Sequence, residues 1–296
     1  MESVPCMTWP GRRAAIALLT ALASGYGSTQ DAARTYPLSL TAGSRLLIDA
    51  KINGRAVVAL LDSAAETTIL DRKFAQTLHL TGGQAVAGQG SGKASFAAAL
   101  ISGVQLEAAG LSLANQTVAV ADLTDVGRRL LARPIDVILG REIFDAARLM
   151  IDIDGRRMAV VSRDRDPQGV RLELVTEHGV ETVPVRVEGS AAVRATFDLG
   201  NGSQVLISEA LARRMNLLTD GRKVSIAQGG GLGGEATRQV IALGELELAG
   251  RHFKGVEAAV DSQPSASDLN IGVSVLRHFR ITTDFANHAV WLDARD

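Results

Sequence analysis

The sequence predicts an all-β chain folded into two pseudo-symmetric lobes, with short helices and a cleft between the lobes. Three observations lead there. Apolar residues make up 46% of the 296 positions, yet they fall in short runs separated by turn residues. Glycine occurs 30 times while aromatic residues reach only 4%, a balance that favours strands and tight turns over a helical bundle. The two halves also repeat each other, feature by feature. The length is sufficient for a sizeable core in one or two domains.

The N-terminus reads as a targeting segment over residues 1–23. Arg12 and Arg13 precede the apolar run Ala14–Ala23, which is short for a bilayer span, and Ala21-Leu22-Ala23 offers small residues for cleavage. Met7 as the true start would shorten the leader to a more usual charged opening. An exported protein is expected, periplasmic or secreted, with no other membrane attachment. The single cysteine, Cys6, precedes the apolar run, so a mature chain has neither a disulfide framework nor a thiol nucleophile.

The first repeat is expected over residues 36–163. Lys51-Ile52-Asn53-Gly54-Arg55 turns into the apolar strand Ala56–Leu61, which ends in Asp62 and is followed by Ser63-Ala64-Ala65 and the strand around Thr67–Leu70. Asp71 caps a short helix through His79. A glycine cluster, Gly88-Gln89-Gly90-Ser91-Gly92, comes next, then Leu106–Gly110, Asp136-Val137-Ile138-Leu139-Gly140 and Arg148–Asp152. Residues 164–169, within the polar stretch Ser162–Gly169, form the expected linker.

The second repeat spans residues 170–296 and follows the same plan. Arg186–Ser190 leads into Val193–Phe197, which ends in Asp198 and continues as Leu199-Gly200-Asn201. Ser208 caps the counterpart helix. Gly229-Gly230-Gly231-Leu232-Gly233-Gly234 is the second glycine cluster, followed by Leu246–Gly250, Asp268–Gly272 and Arg280–Asp284. The paired Asp62 and Asp198, Leu106 and Leu246, Gly140 and Gly272, and Asp152 and Asp284 lie between 132 and 140 residues apart, and chance similarity does not hold register through five features. Two repeats are too few for a solenoid, so paired lobes are the reading.

An apolar strand ending in Asp, a small-residue turn and a later apolar-apolar-Gly segment together resemble the retropepsin-like and pepsin-like aspartic proteases. Asp62-Ser63-Ala64-Ala65 is similar to the family's Asp-Thr/Ser-Gly-Ala turn, and Val137-Ile138-Leu139-Gly140-Arg141 to its Ile-Ile-Gly-Arg segment, which packs beneath the active-site loop. The second half matches through Asp198-Leu199-Gly200-Asn201 and Asn270-Ile271-Gly272. The likeness covers roughly residues 40–293. It implies two acid-protease β-barrel lobes in one chain, with Asp62 and Asp198 as a catalytic dyad. Ser63 would join the hydrogen-bond network linking the two turns, supported by Ala64, Ala65, Leu199, Gly200 and Asn201. The glycine clusters (Gly88, Gly90, Ser91 and Gly92; Gly229, Gly231, Leu232 and Gly233) would be hairpin tips that cover the substrate as a flap. A peptide or unfolded protein is the implied partner. Neither cofactor nor metal is needed, and a monomer suffices because both lobes supply an Asp.

The chemistry explains the need for two halves. Water attacks a peptide bond when one carboxylate takes its proton and a second carboxylic acid polarises the carbonyl. Two carboxylates ~4 Å apart repel by about 4 kcal/mol at an effective dielectric near 20, roughly three pKa units. One proton is therefore shared, and the pair carries acid and base at once.

Two departures motivate an alternative, a non-catalytic peptide-binding protein that keeps the fold. Ala64 replaces the family's glycine; if that position needs positive φ, its Cβ costs about 1–2 kcal/mol. Leu199 replaces the second Thr/Ser, removing an interlobe hydroxyl contact worth about 1 kcal/mol. Neither glycine cluster contains the Tyr of pepsin's flap.

Other motifs fall away. Ser63-Ala64-Ala65-Glu66 fits a helix capping box, but Thr67-Thr68-Ile69 argues strand. The G-x-G-x-x-G within residues 229–234 lacks a strand–turn–helix setting, and Gly90-Ser91-Gly92-Lys93 has Ala87 and Ala94 where a P-loop needs Gly and Ser/Thr. The five histidines have no metal-ligand spacing. A net charge of −1, from 31 basic and 32 acidic residues, leaves no footprint for nucleic acid. Asp152 and Asp284, each before a closing turn, are read as structural.

Overall fold

The structure is a computed structural model and describes residues 34–263 and 267–295. The proposed leader and Cys6 lie outside the described residues. Both lobes are built around strand pairs whose turns the sequence dictates. Leu46–Ile52 and Arg55–Leu61 are joined by Asn53-Gly54, both at positive φ (48° and 78°). That is the signature of the two-residue hairpin turn whose twist matches its strands. In the second lobe Glu188-Gly189 likewise takes positive φ at both residues but opens a longer connection to Val193–Phe197, while Ala109-Gly110 and Ala249-Gly250 form a matched pair of two-residue turns.

In the first lobe six strands close on themselves. Their order is Leu46–Ile52, Arg55–Leu61, Val137–Leu139, Ile69–Asp71, Leu111–Ala121 and Phe96–Ala108, and the last pairs back onto the first. The second lobe repeats this strand order with Val180–Val187, Val193–Phe197, Leu269–Ile271, Val205–Ser208 and Val256–Asp261. Its long strand is broken into Ala236–Leu243 and Leu246–Leu248. Both expected helices form. Arg72–Thr77 is capped by Asp71, whose side chain accepts from Lys73 N, and Glu209–Arg214 by Ser208, which accepts from Leu211 N.

The lobes are joined by a shared sheet. Leu149–Asp152 pairs antiparallel with Phe279–Asp284, placing Met150 opposite Thr282 and Ile151 opposite Ile281. Met150 and Thr282 are also equivalent positions of the repeat, so the pseudo-twofold axis passes between them. The outer neighbours, Arg157–Val160 with Thr35–Leu40 and Ala289–Ala294 with Val170–Glu173, extend the sheet on each side.

Packing and charge reinforce the junction. Phe144 stacks on Phe285 at 5.1 Å between centroids. Asp284 is fully buried and binds Arg148 at 3.0 Å and Arg163 at 2.8 Å. Arg148 also holds the connecting segment by donating to the Arg165 carbonyl at 2.8 Å, and residues 161–169 carry neither strand nor helix. Asp152 shapes its own turn by accepting from Gly155 N at 2.6 Å, and pairs with Arg157 and Arg295. Both aspartates therefore belong to the interlobe framework.

Candidate active site

Asp62 stands at the end of the strand Arg55–Leu61, and Asp198 at the end of Val193–Phe197. Each strand runs parallel to an apolar-apolar-Gly segment that catches the turn after it. Asp62 N donates to Leu139 O and Asp198 N to Ile271 O, both at 3.0 Å. Past each Gly the contact reverses: Arg141 N donates to Ala65 O at 3.0 Å, and Val273 N to Asn201 O at 2.8 Å. A Cβ on Gly140 would come within 2.6 Å of the Thr67 carbonyl carbon, and one on Gly272 would collide with Asn201 O. Glycine is required at both positions because backbone packs directly on backbone.

Ser63 crosses the lobe boundary. Its buried hydroxyl donates to Phe197 O at 2.8 Å and accepts from Leu199 N at 2.9 Å. Leu199 returns no such contact and is fully buried among apolar neighbours, so the cross-link runs one way. No capping-box helix follows Asp62. Ala64 is absent from the positive-φ positions, so its methyl carries none of the expected backbone strain. At the equivalent Gly200 the restriction is contact, since a Cβ there would collide with the Asp62 carboxyl. Replacing Ser63 with Ala leaves two buried backbone groups without a partner. A loss of about 2 kcal/mol in chemical denaturation is expected, and a loss under 0.5 kcal/mol would remove Ser63 from any role in joining the turns.

Both carboxylates are half-buried and face each other. Asp62 Oδ1 accepts from Ala64 N at 2.9 Å, Ala65 N also approaches the carboxyl, and a Cβ on Gly200 of the Asp198 turn would fall against the carboxyl carbon. Burial raises the Asp62 pKa, the Asp198 charge raises it further, and it stands at about 8. Asp198 Oδ1 accepts from Gly200 N at 2.8 Å and Asn201 N at 3.0 Å, and Oδ2 from Asn270 Nδ2 at 2.7 Å. Burial raises this carboxyl as well, opposed by those three donors and by Arg45.

The glycine clusters are the tips of two hairpins. The first joins Gln84–Gly88 to Phe96–Ala108, the second Ser225–Gly229 to Ala236–Leu243. The tips meet across the lobe boundary. Gly92 N donates to Leu232 O at 2.8 Å and Ala94 N to Gly233 O at 3.1 Å. A Cβ on Gly90 would come within 2.7 Å of Leu232 Cβ, one on Gly231 would meet Ser91, and one on Gly88 would meet the Phe96 ring. Leu232 packs on the first lobe's cluster around Leu47, Leu60 and Ile138.

Four side chains of this region escaped the sequence reading. Arg129 donates to Gly229 O and Gly231 O, at 3.4 and 3.0 Å. Arg238, paired with Asp261, donates to Ser91 O at 2.6 Å. Each lobe thus holds the other's tip with a guanidinium. Arg45 is buried, donates to Gly43 O at 3.2 Å, and is drawn electrostatically to both Asp198 and Asp62. Asn270 was legible only as part of an apolar-apolar-Gly match. Arg141 pairs within its lobe to Asp145 and across to Glu181. His79, His178, His252, His278 and His288 are all exposed.

A closed six-strand ring and a second sheet that repeats its strand order, related by a pseudo-twofold axis and each bringing a strand-end Asp to their boundary, define the bilobal retropepsin-like class of proteases. A family model described as aspartyl protease matches residues 48–143 and again residues 183–275. The chain belongs to the aspartyl protease family, in duplicated form, and is a hydrolase of protease type. No curated protein matches it.

Proposed function

We propose that the protein is an aspartic endopeptidase in which Asp62 and Asp198 form one catalytic dyad. The observation that carries this reading is the close approach of the two carboxyl groups across the lobe boundary: the Asp62 carboxyl lies against Gly200 of the Asp198 turn, Ser63 joins the two turns, and both pKa values are raised. Two buried carboxyl groups this near do not both ionise readily, and a pair holding one proton supplies acid and base together. An extended peptide would lie in the cleft beneath the joined tips, bound through main-chain hydrogen bonds, and the tips must part to admit it. One chain carries the whole dyad, so a monomer is the functional unit. Export belongs to the same proposal and rests on the Arg12-Arg13 and apolar sequence alone.

A peptide mimic with a hydroxyl-bearing carbon in place of the scissile carbonyl tests this reading. Binding at least about 10²-fold tighter than the parent peptide is expected, because it resembles the tetrahedral species. The advantage should vanish in Asp62→Asn. Equal affinity for mimic and parent, unchanged by that substitution, would instead mark a peptide-binding protein.

A further inference from the structure

The two apolar-apolar-Gly segments are not equivalent at their middle residue. Ile138, within Val137–Leu139, lies opposite Leu60 and Ile69 and packs in a hydrophobic cluster. Asn270, within Leu269–Ile271, lies opposite Thr196 and Leu206 in the matching register. An amide at this position needs polar partners, and it has them on both ends. Its Nδ2 donates to Asp198 Oδ2 at 2.7 Å, and its Oδ1 accepts from Asn201 Nδ2 at 2.8 Å.

The backbone dictates which way these amides point. Ser203 N donates to Asn201 Oδ1 at 3.0 Å, which leaves Asn201 Nδ2 to serve Gln204 O at 3.0 Å and Asn270 Oδ1. Asn270 must then turn its nitrogen, a donor only, toward Asp198. With Gly200 N and Asn201 N on the other oxygen, Asp198 faces three N–H donors. Donors stabilise a carboxylate over a carboxylic acid. Asp62 receives backbone donors alone, because its lobe carries Ile138 where the third donor would stand.

We propose that Asn270 is a positioning residue that makes Asp198 the ionised member of the pair and leaves the shared proton on Asp62. The role in catalysis rests on the dyad reading above. The charged groups facing the pair are Arg45, drawn to both carboxylates, and beyond it Arg129. Arg45 favours a single negative charge and acts more strongly on Asp198 than on Asp62, so it adds to the bias that the Asn270 bond sets. At Asp198 the Asn270 bond is the largest influence opposing burial, whereas at Asp62 burial and the Asp198 charge act together. In hydrolysis Asp198 then takes a proton from water as its oxygen bonds the carbonyl carbon, and Asp62 gives its proton to the carbonyl oxygen. On collapse, Asp198 returns its proton to the amide nitrogen as the C–N bond breaks, and a diol hydroxyl re-protonates Asp62.

The test is a carboxyl-carbon NMR titration of Asp-labelled protein, assigned with Asp62→Asn and Asp198→Asn, in wild type and Asn270→Leu. The Asp198 midpoint should rise by about one to two pH units, while the alkaline step at Asp62 stays in place. If the protein cleaves peptides, the acid limb of kcat/KM moves by the same amount and the alkaline limb does not; a purely structural role would lower the plateau without moving a limb. Asn201→Ala keeps the backbone donor but frees the Asn270 amide, and should move Asp198 in the same direction by less; it decides the matter if Asn270→Leu does not fold. An unmoved Asp198 midpoint in a folded variant, or a wild-type proton resident on Asp198 near neutrality, overturns the assignment. The titration does not depend on cleavage, so an inactive protein would speak against the peptidase reading alone.

Discussion

On the proposed dyad, Asp62→Asn should sharply lower peptide cleavage while stabilising the folded chain above neutral pH. The rate should fall between about 10²- and 10⁴-fold, the usual worth of a positioned acid or base, and Asp198→Asn should do the same. The stability effect follows from the pKa. Asp62 stands at about 8 in the folded protein against an ordinary 3.8, so the folded chain holds a proton that the unfolded chain releases. That contribution is complete below about pH 4 and is lost as pH rises through about 8. Asn carries no such proton. The variant's thermal stability, compared with wild type, should therefore improve steadily between pH 4 and 8, by on the order of a few kcal/mol. Parallel stability curves across that window would mean that Asp62 ionises normally, and the shared proton would have to be abandoned.

Asp284→Ala should cost about 3–5 kcal/mol in chemical denaturation. The substitution leaves Arg148, only 6% exposed, as a buried charge without its carboxylate. It also strikes where Phe279–Asp284 meets Leu149–Asp152, so the two lobes lose a joint rather than a surface contact. Asp284→Asn isolates the charge. Burial alone would raise the Asp284 pKa, but hydrogen bonds from Arg163, Asn287 and Arg148 overcome it and hold the group at about 2. Its stabilisation is present above about pH 4 and lost as pH falls through 2, roughly 2 kcal/mol in all. Since Asp62 destabilises from pH 4 upward and Asp284 from pH 4 downward, their combined contribution peaks near pH 4. A cost below 1 kcal/mol for Asp284→Ala would show that the junction stands on its strands alone.

Much of this arrangement was legible along the chain. Asn53-Gly54 names its own turn, Asp71 and Ser208 cap the helices they precede, and the duplication pairs Asp62 with Asp198. Asn270 was hidden because Leu269-Asn270-Ile271-Gly272 was matched to Val137-Ile138-Leu139-Gly140 for its glycine and flanking apolar residues. Its polar middle position was the one available signal. Arg45, Arg129 and Arg238 carried no signal at all, being ordinary basic residues in a chain with 31 of them. No backbone strain arises at Ala64, because that residue does not take a positive φ.

Local residue order alone set the strand periodicity, the turns, the caps and the twofold plan, since those depend on neighbours within a few positions and on a repeat visible as text. Tertiary structure decided the rest. Strand pairing inside the second lobe carries Asn270 to Asp198 and makes the donors on the two aspartates unequal. Across the boundary, Ser63 reaching Leu199 and the guanidinium grip on each hairpin tip join residues as far as 147 positions apart. Such contacts are selected by shape and desolvation when the barrels close on each other, and neither barrel's own pattern contains them.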